Sequence, residues 1–329
     1  MLPSCWTFYQ LEMKCMARYI GKRLIYMVLT LLVIVVLTFA LMQGLPGTPF
    51  DEDRFSAMAP EQQAIALQKY GLDQPLPIQF LKYVGNMLRG DFGTSFFYTN
   101  RPVVDVISSR IAPSALIGLQ AILVGLAVGL SLGVIAAWRH NSGIDYFTMV
   151  VAVLGISVPN FVAAALLQYY VGLKLGILPI GFWTSWACSV LPSLSLCFMP
   201  LSTSARFIRG QMLDVLAQDY IVTAKSKGMG QVRLLLSHAL RNSIIPVVTI
   251  MGPMVVNLMT GSLAVESIFS VPGLGGLFVD SIRNNDYNVI MALTIFYSAF
   301  YILVVLIVDV AYCLIDPRIR LQTDSEGGE

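Results

Sequence analysis

Residues 219–246, the basic segment, read DYIVTAKSKGMGQVRLLLSHALRNSIIP and lie between long apolar runs. The segment is polar and about as long as two short helices. Ala224 and Gly228 are four residues apart, so on a helix they share one face and leave it bare. The charged residues beside that face are Asp219, Lys225 and Lys227. We therefore predict a smooth surface, ringed by charges, that docks into a cleft on another protein.

The composition of the chain is that of an integral membrane protein. Hydrophobic residues make up 56% of it and charged residues only 12%, and the mean hydropathy is +0.72. A soluble domain has roughly 25% charged residues. The chain has no large basic patch with interleaved aromatic residues, so we expect a lipid bilayer as its surroundings and no nucleic-acid partner.

The apolar runs predict six membrane-spanning helices, because a helix needs about 20 apolar residues to cross a bilayer. The predicted spans are 24–43, 113–138, 146–173, 185–207, 246–266 and 289–315. The first run follows several basic residues, but it is too long for a signal peptide and lacks a cleavage site, so it predicts an uncleaved anchor. Met16 is an alternative start to Met1.

The distribution of Lys and Arg predicts that both termini are cytoplasmic. With the N-terminus inside, thirteen of the 21 Lys and Arg residues fall in cytoplasmic segments, and most of the others lie in one long outer loop. The predicted organisation is a cytoplasmic segment, the first span, an extracytoplasmic insertion, a five-helix core that contains a cytoplasmic loop, and a cytoplasmic tail. These cover residues 1–23, 24–43, 44–112, 113–315 (loop 208–245) and 316–329.

The outer insertion carries signals for two short helices. Pro60 precedes a helical pattern that Gly71 follows, and proline at the start with glycine past the end is typical of a helix. A second candidate helix covers 79–89 and stops at Gly90. We expect a small helical cap after the first span.

Several common chemistries are excluded by the sequence. No phosphate-binding Gly-x-x-x-x-Gly-Lys-Ser/Thr loop and no His-Glu-x-x-His motif occurs. The five cysteines show no paired spacing, and with two histidines a metal site is not expected. Ser131 lies in a Gly-x-Ser-x-Gly pattern, but inside an apolar helix with glycine at every fourth position, which predicts close helix packing instead of a nucleophile.

Polar residues within the spans are candidates to line a translocation pathway, since they are costly in a membrane. Ser157 and Asn160 flank Pro159, which is expected to bend the third span. Asn257 lies in the fifth span and Glu266 ends it. Hydrogen bonding between helices is the alternative role for these residues, and a structural cap is the alternative for Glu266.

The basic segment resembles the cytoplasmic coupling loop of ATP-binding-cassette importer permeases, in the branch that serves peptides and nickel. The matching residues are Asp-Tyr-Ile-x-Thr-Ala-x-x-Lys-Gly, followed by His-Ala-Leu-Arg-Asn-x-x-Ile-Pro. Residues 70–80, 88–96, 101–103, 266–275 and 312–320 are similar to recurring segments of the B-type oligopeptide permease subunits. The resemblance covers residues 16 to 321.

This resemblance implies a type I importer permease fold in the bacterial cytoplasmic membrane and a set of partners. The partners are a second homologous permease, two cytoplasmic ATPases that bind ATP and Mg²⁺, and an extracytoplasmic peptide-binding protein. The chain itself would hold no cofactor and catalyse no reaction. The residues that couple it to an ATPase would be Asp219, Tyr220, Ala224, Lys225, Lys227 and Gly228.

The cargo and the class of protein leave alternatives open. The leading hypothesis is the import of oligopeptides, and the same fold importing dipeptides or nickel and other metal chelates is the alternative. An intramembrane hydrolase that uses Ser131 or Ser157 is disfavoured, because both histidines lie outside the spans. A structural scaffold is disfavoured by the polar residues in spans three and five.

Overall fold

The computed structural model describes residues 5–44, 55, 57–98 and 101–315, and within these ranges its regular elements are helices. The α-helices are α1 (Cys5–Gln43), α2 (Pro60–Tyr70), α3 (Leu76–Met87), α4 (Val103–Trp138), α5 (Gly143–Ser157), α6 (Asn160–Leu167), α7 (Val190–Leu216), α8 (Asp219–Ser226), α9 (Gln231–Leu234), α10 (Arg241–Met259), α11 (Leu263–Ile268), α12 (Leu274–Arg283) and α13 (Tyr287–Ile315). Gln168–Lys174 and Leu235–Leu240 are π-helical, and Trp186–Ser189 is a 3₁₀-helix. The predicted tail, 316–329, lies outside the described residues.

Four segments are long and apolar enough to cross a membrane, and one bent pair of helices adds a fifth. The four are Gly21–Gln43, Val103–Trp138, Trp186–Leu216 and Tyr287–Val308, and the bent pair is Gly143–Ser157 with Asn160–Lys174. The expected all-α, multi-pass fold is confirmed. Helix α10 is not among these segments in the described part of the chain, so the count of six spans stays a prediction.

The chain divides into two compact units, each considered by itself. The first comprises Met1–Ile111 and Leu277–Ile302. In it the end of α1 packs on the insertion that follows the first span, where the rings of Phe39 and Phe80 meet edge to face at 5.3 Å. Met42 is buried with Ile290 and Met291. The insertion is therefore anchored to the last turn of the first span.

The first predicted helix of the insertion is confirmed, and the second begins earlier than expected. Gly71 ends α2 with a φ of 68°, and its N–H donates to the Gln68 carbonyl at 3.1 Å. Helix α3 begins at Leu76 instead of residue 79, because proline at its N-terminus already has the helical φ and needs no hydrogen-bond donor there.

A buried aspartate fixes the loop that precedes α4 in the first unit. Asp286 is fully buried and accepts a hydrogen bond from the Ser95 hydroxyl. Its carboxylate also accepts from the N–H of Phe96 at 3.2 Å and of Phe97 at 3.3 Å. One side chain thus satisfies backbone donors that the loop cannot satisfy by itself.

In the second unit (Ala112–Gly276 and Leu303–Glu329), glycines let helices approach closely. A Cβ on Gly125 would lie 2.7 Å from Pro200 Cγ, and one on Gly129 would clash with Ser204 and the Leu201 carbonyl. The glycine repeat of α4 therefore packs against α7, which confirms the predicted packing groove.

Pro159 interrupts the third predicted span, as expected. Helix α5 ends at Ser157 and α6 begins at Asn160, and the two are bent by 98°. Pro159 has no N–H with which to continue the helical ladder, and the residue before it is extended, with a φ of −82° and a ψ of 118°.

Several helix ends differ from the predicted spans. Helix α4 already begins at Val103, and α7 continues past residue 207 to Leu216, because charged residues ended the predicted spans but do not end a helix. The predicted fifth span, 246–266, is divided: α10 ends at Met259, and the φ of 99° at Gly261 stops helical continuation before α11.

We predict that Gly129→Ala destabilises the protein by about 1–3 kcal/mol, because the added methyl group forces α4 away from α7. Thermal unfolding of the protein in mild detergent measures this. Gly210→Ala is the matched control, since Gly210 lies within α7 with open space around its Cα. Equal unfolding temperatures for the two variants would contradict the close packing.

Candidate functional site

The basic segment begins with the short helix α8, most of which is exposed. Ile221 is only 3% exposed and anchors the helix on the protein. Its neighbours Tyr220 and Val222 are 44% and 57% exposed. One inward side chain therefore holds the helix while the rest of its surface stays open.

Helix α8 ends before Gly228, contrary to the predicted helix through that residue. The helix ends at Ser226, and Gly228 has a φ of 78°, in the left-handed region. Its N–H donates to the Lys225 carbonyl at 3.0 Å, and the N–H of Met229 donates to the Ala224 carbonyl at 3.3 Å. This pair of bonds is a Schellman cap. The prediction that Ala224 and Gly228 share a helix face is wrong, because Gly228 reverses the chain instead of continuing the helix.

Tyr220 links the two ends of the basic segment. Its hydroxyl oxygen accepts a hydrogen bond from the Asn242 side-chain amide at 2.9 Å. Asn242 lies in the first turn of α10. Helix α8 is thus attached to α10 by this bond and to α7 by the short connection that begins after Leu216.

The predicted coupling residues lie together in this segment. Asp219, Lys225 and Lys227 are exposed, and Ala224 is half-buried. Three exposed apolar side chains in the segment were not among the predicted coupling residues: Val222, Val232 at 58% and Leu236 at 55%. Apolar residues within an otherwise polar and basic segment are the signal that points to them. The exposed surface therefore combines an apolar part with charged surroundings.

The predicted pathway residues lie on different helices. Ser157 is exposed at the end of α5, where its hydroxyl donates to the Val153 carbonyl at 2.8 Å. Asn160 is half-buried at the start of α6, and Asn257 is exposed near the end of α10. Their role as pathway lining stays a prediction.

Glu266 lies in a buried, fixed environment. It is 3% exposed, and its carboxylate accepts from the Ser114 hydroxyl at 2.6 Å and from the Gly276 N–H at 3.1 Å. Ser114 also accepts from the Leu274 N–H at 2.8 Å. A Cβ on Gly273 would overlap the carboxylate, so that position has room only for glycine. These contacts are those of a structural cap at the start of α12.

The described residues hold no group of three or more His, Cys, Asp or Glu side chains that could bind a metal ion. Ser131, the serine of the hydrolase-like pattern, donates to the Ala127 carbonyl at 2.7 Å within α4. Its hydroxyl is thus bonded to the backbone of its own helix, as expected for a residue of a packed helix and not for a nucleophile.

Two protein families match the chain. "Binding-protein-dependent transport system inner membrane component" matches residues 129–321, and the N-terminal component of the same systems matches residues 16–116. The chain therefore belongs to the family of binding-protein-dependent transport system inner membrane components. The expected likeness to ATP-binding-cassette importer permeases, the type I permease fold and a multi-pass location in the cytoplasmic membrane are confirmed.

Curated relatives are similar over nearly their whole length. The chain is 44% identical to the dipeptide transport system permease protein DppB of Lactococcus lactis subsp. cremoris, over 93% of this chain and 100% of the relative. It is 39% identical to the oligopeptide transport system permease protein OppB of Haemophilus influenzae, over 93% and 100%. It is 41% identical to the glutathione transport system permease protein GsiC of Salmonella paratyphi A, over 93% and 99%.

We predict that Gly228→Val loosens α8 whereas Gly228→Asn does not. The left-handed conformation costs a residue with a Cβ roughly 1–2 kcal/mol, and asparagine tolerates it best. Amide hydrogen exchange of residues 219–229 in the membrane-embedded protein should therefore speed up about tenfold in the valine variant alone. Gly230→Val is the control, because Gly230 has a φ of −64°. Equal exchange in all variants would contradict the cap.

We predict that Glu266→Ala lowers the free energy of unfolding by about 1–3 kcal/mol, because buried donors lose their acceptor. Thermal unfolding measures the loss, with Ser267→Ala at the exposed neighbour as control. A variant with unchanged stability but lost transport would instead support the pathway role of Glu266.

Proposed function

We propose that this chain is a permease subunit that imports peptides, and oligopeptides in particular, with energy from partner ATPases. The main support for this proposal is that α8 is an exposed, capped helix in a member of this permease family. The relatives' names support peptides as the cargo class, since they refer to dipeptide, oligopeptide and glutathione transport. The alternative of a nickel or metal chelate has no such support among these relatives.

The proposed assembly contains four core subunits and a delivery protein. A second homologous permease completes the pathway, two cytoplasmic ATPases bind ATP and Mg²⁺, and an extracytoplasmic binding protein supplies the peptide. In this arrangement the chain holds no cofactor and has no catalytic residue of its own.

Helix α8 is proposed to dock in a groove of one ATPase. Val222 and the ring of Tyr220 supply apolar contact, and Ala224 permits a close approach. Asp219, Lys225 and Lys227 are exposed beside them and can pair with charges on the ATPase surface.

Closure of the ATPases on ATP would then move α8 as a rigid body. The movement reaches α7 through the chain and α10 through the bond between Tyr220 and Asn242. Rocking of these helices would expose the pathway residues to alternate sides of the membrane. Ser157, Asn160 and Asn257 are proposed to contact the passing peptide, with Glu266 fixing the helices around them.

The cargo is tested in proteoliposomes that contain the four core subunits and the binding protein. We expect peptide-stimulated ATP hydrolysis and ATP-dependent uptake of labelled peptides of four or more residues. A dipeptide, glutathione and a nickel chelate serve as competitors. Stimulation by the nickel chelate alone would overturn the proposal, and stimulation by dipeptides alone would favour the dipeptide alternative.

The docking surface is tested by Val222→Glu, which places a charge in the proposed apolar contact. We expect its affinity for the ATPase subunits to fall more than about tenfold, because a buried unpaired charge is costly. Val222→Thr keeps the shape without a charge and should bind nearly normally. Co-purification and titration in detergent provide the measurement, and unchanged binding of Val222→Glu would place the docking surface elsewhere.

A further inference from the structure

A cluster of charged and polar groups, with a buried aspartate at its centre and partly exposed partners, connects the start of α5 to α7. Asp145 is only 1% exposed. The guanidinium of Arg209 donates to both carboxylate oxygens, from Nε to Oδ1 at 2.6 Å and from a terminal nitrogen to Oδ2 at 2.8 Å. The same carboxylate accepts from the Asn141 N–H at 3.0 Å and lies 3.2 Å from His140 Nδ1. We call Asp145 and Arg209 the charged clamp.

The clamp lies between the basic segment and the predicted pathway. Arg209 belongs to the last part of α7, which ends at Leu216, shortly before α8 begins at Asp219. Asp145 belongs to the first turn of α5, whose other end is Ser157 at the break in the third span. The two helices therefore form a route from α8 to the bend.

A second contact holds the far end of α5 against α7. A Cβ on Gly155 would clash with the Ser202 hydroxyl, and the Phe198 carbonyl is 3.5 Å from the same position. Gly155 has no side chain and the buried Ser202 hydroxyl has no hydrogen-bond partner, so this contact has little directional preference and allows one helix to slide along another. A two-nitrogen arginine–carboxylate pair is directional and fixes the register of the two helices.

We propose that Asp145 and Arg209 are positioning residues for coupling: the clamp makes α5 move with α7 when the ATPase displaces α8. This inference rests on the proposed function. It goes beyond docking, because it names the connection that carries the movement from α8 to Ser157. Buried ion pairs contribute little net stability compared with apolar packing, whereas they fix geometry well in several proteins. A role in transmission accounts for a directional ion pair at this contact between the two helices.

The test uses the complete reconstituted importer with Asp145→Asn, Arg209→Gln and Arg209→Lys. Arg206→Gln is the matched control, because Arg206 lies on the same helix but is exposed. Lysine retains the charge at position 209 but cannot form the planar two-nitrogen contact. The main readout is the number of peptides transported per ATP hydrolysed, with the unfolding temperature measured on the same samples.

We expect the transported peptide per ATP to fall about fivefold or more in Asp145→Asn and Arg209→Gln. Arg209→Lys should fall between these variants and the wild type, and Arg206→Gln should match the wild type. If transport and ATP hydrolysis fall in parallel, so that their ratio is unchanged, the clamp serves only packing and the inference is overturned. If the wild-type importer neither transports peptides nor responds to them, the proposed function fails instead.

A second readout does not depend on the cargo. Ser157→Cys is placed in a chain whose five native cysteines have been replaced, and its labelling rate is followed with and without a trapped ATP state. We expect the labelling rate to respond to nucleotide in this background and to lose the response when Asp145→Asn is added. A response of equal size in both chains would overturn the inference.

Discussion

Close helix packing without help from the hydrophobic effect is the constraint on which this structure depends. In a bilayer the lipid tails are as apolar as leucine, so helices associate through close van der Waals contact and hydrogen bonds. Glycines supply that contact between α4 and α7, and Gly118 supplies it between α4 and α10, where a Cβ would lie 2.5 Å from the Leu258 carbonyl. The glycine contacts hold the helices of the second unit side by side, whereas a directional pair such as Arg209 with Asp145 fixes how far one helix can slide along another.

At three places where the chain leaves a helix, a buried carboxylate holds the loop. Asp145 holds the turn before α5, Glu266 holds the start of α12, and Asp286 holds the loop before α4. The physical reason is common to all three: loop N–H groups away from water need acceptors, and one carboxylate can serve several donors. Burial of these carboxylates alone is therefore no sign of a transport role, and the proposal for Asp145 rests on its pairing with Arg209 instead.

Local signals predicted a large part of the fold from the sequence. Pro60 and Gly71 marked α2, Pro159 marked the break in the third span, and the glycine repeat marked the packing face of α4. Each of these effects depends on the backbone chemistry of one or a few residues, which a sequence displays directly. The family likeness of the basic segment was equally readable, because it rests on a continuous stretch of residues.

What the sequence could not predict depended on contacts between distant residues. Charged residues marked the predicted end of the fourth span, whereas α7 continues to Leu216 and its Arg209 pairs with the distant Asp145. The carboxylate of Glu266 accepts hydrogen bonds from Gly276, which is near in sequence, and from Ser114, which is distant. The burial of Glu266 depends on the contact with Ser114, so the sequence could not predict it. The spacing of Ala224 and Gly228 predicted a continuing helix, whereas a glycine at this position commonly ends one.

The short length of α8 explains why its attachments matter for coupling. A helix of 8 residues is only marginally stable by itself, because its few hydrogen bonds do not offset the unfavourable free energy of nucleation. Ile221, the Tyr220–Asn242 bond and the Gly228 cap keep it formed before any partner arrives. An ATPase that docks on it therefore meets a preformed surface and loses little binding energy to ordering the helix. The same attachments leave the helix few ways to move alone, so a force applied to α8 must pass into α7 and α10 instead of being absorbed locally.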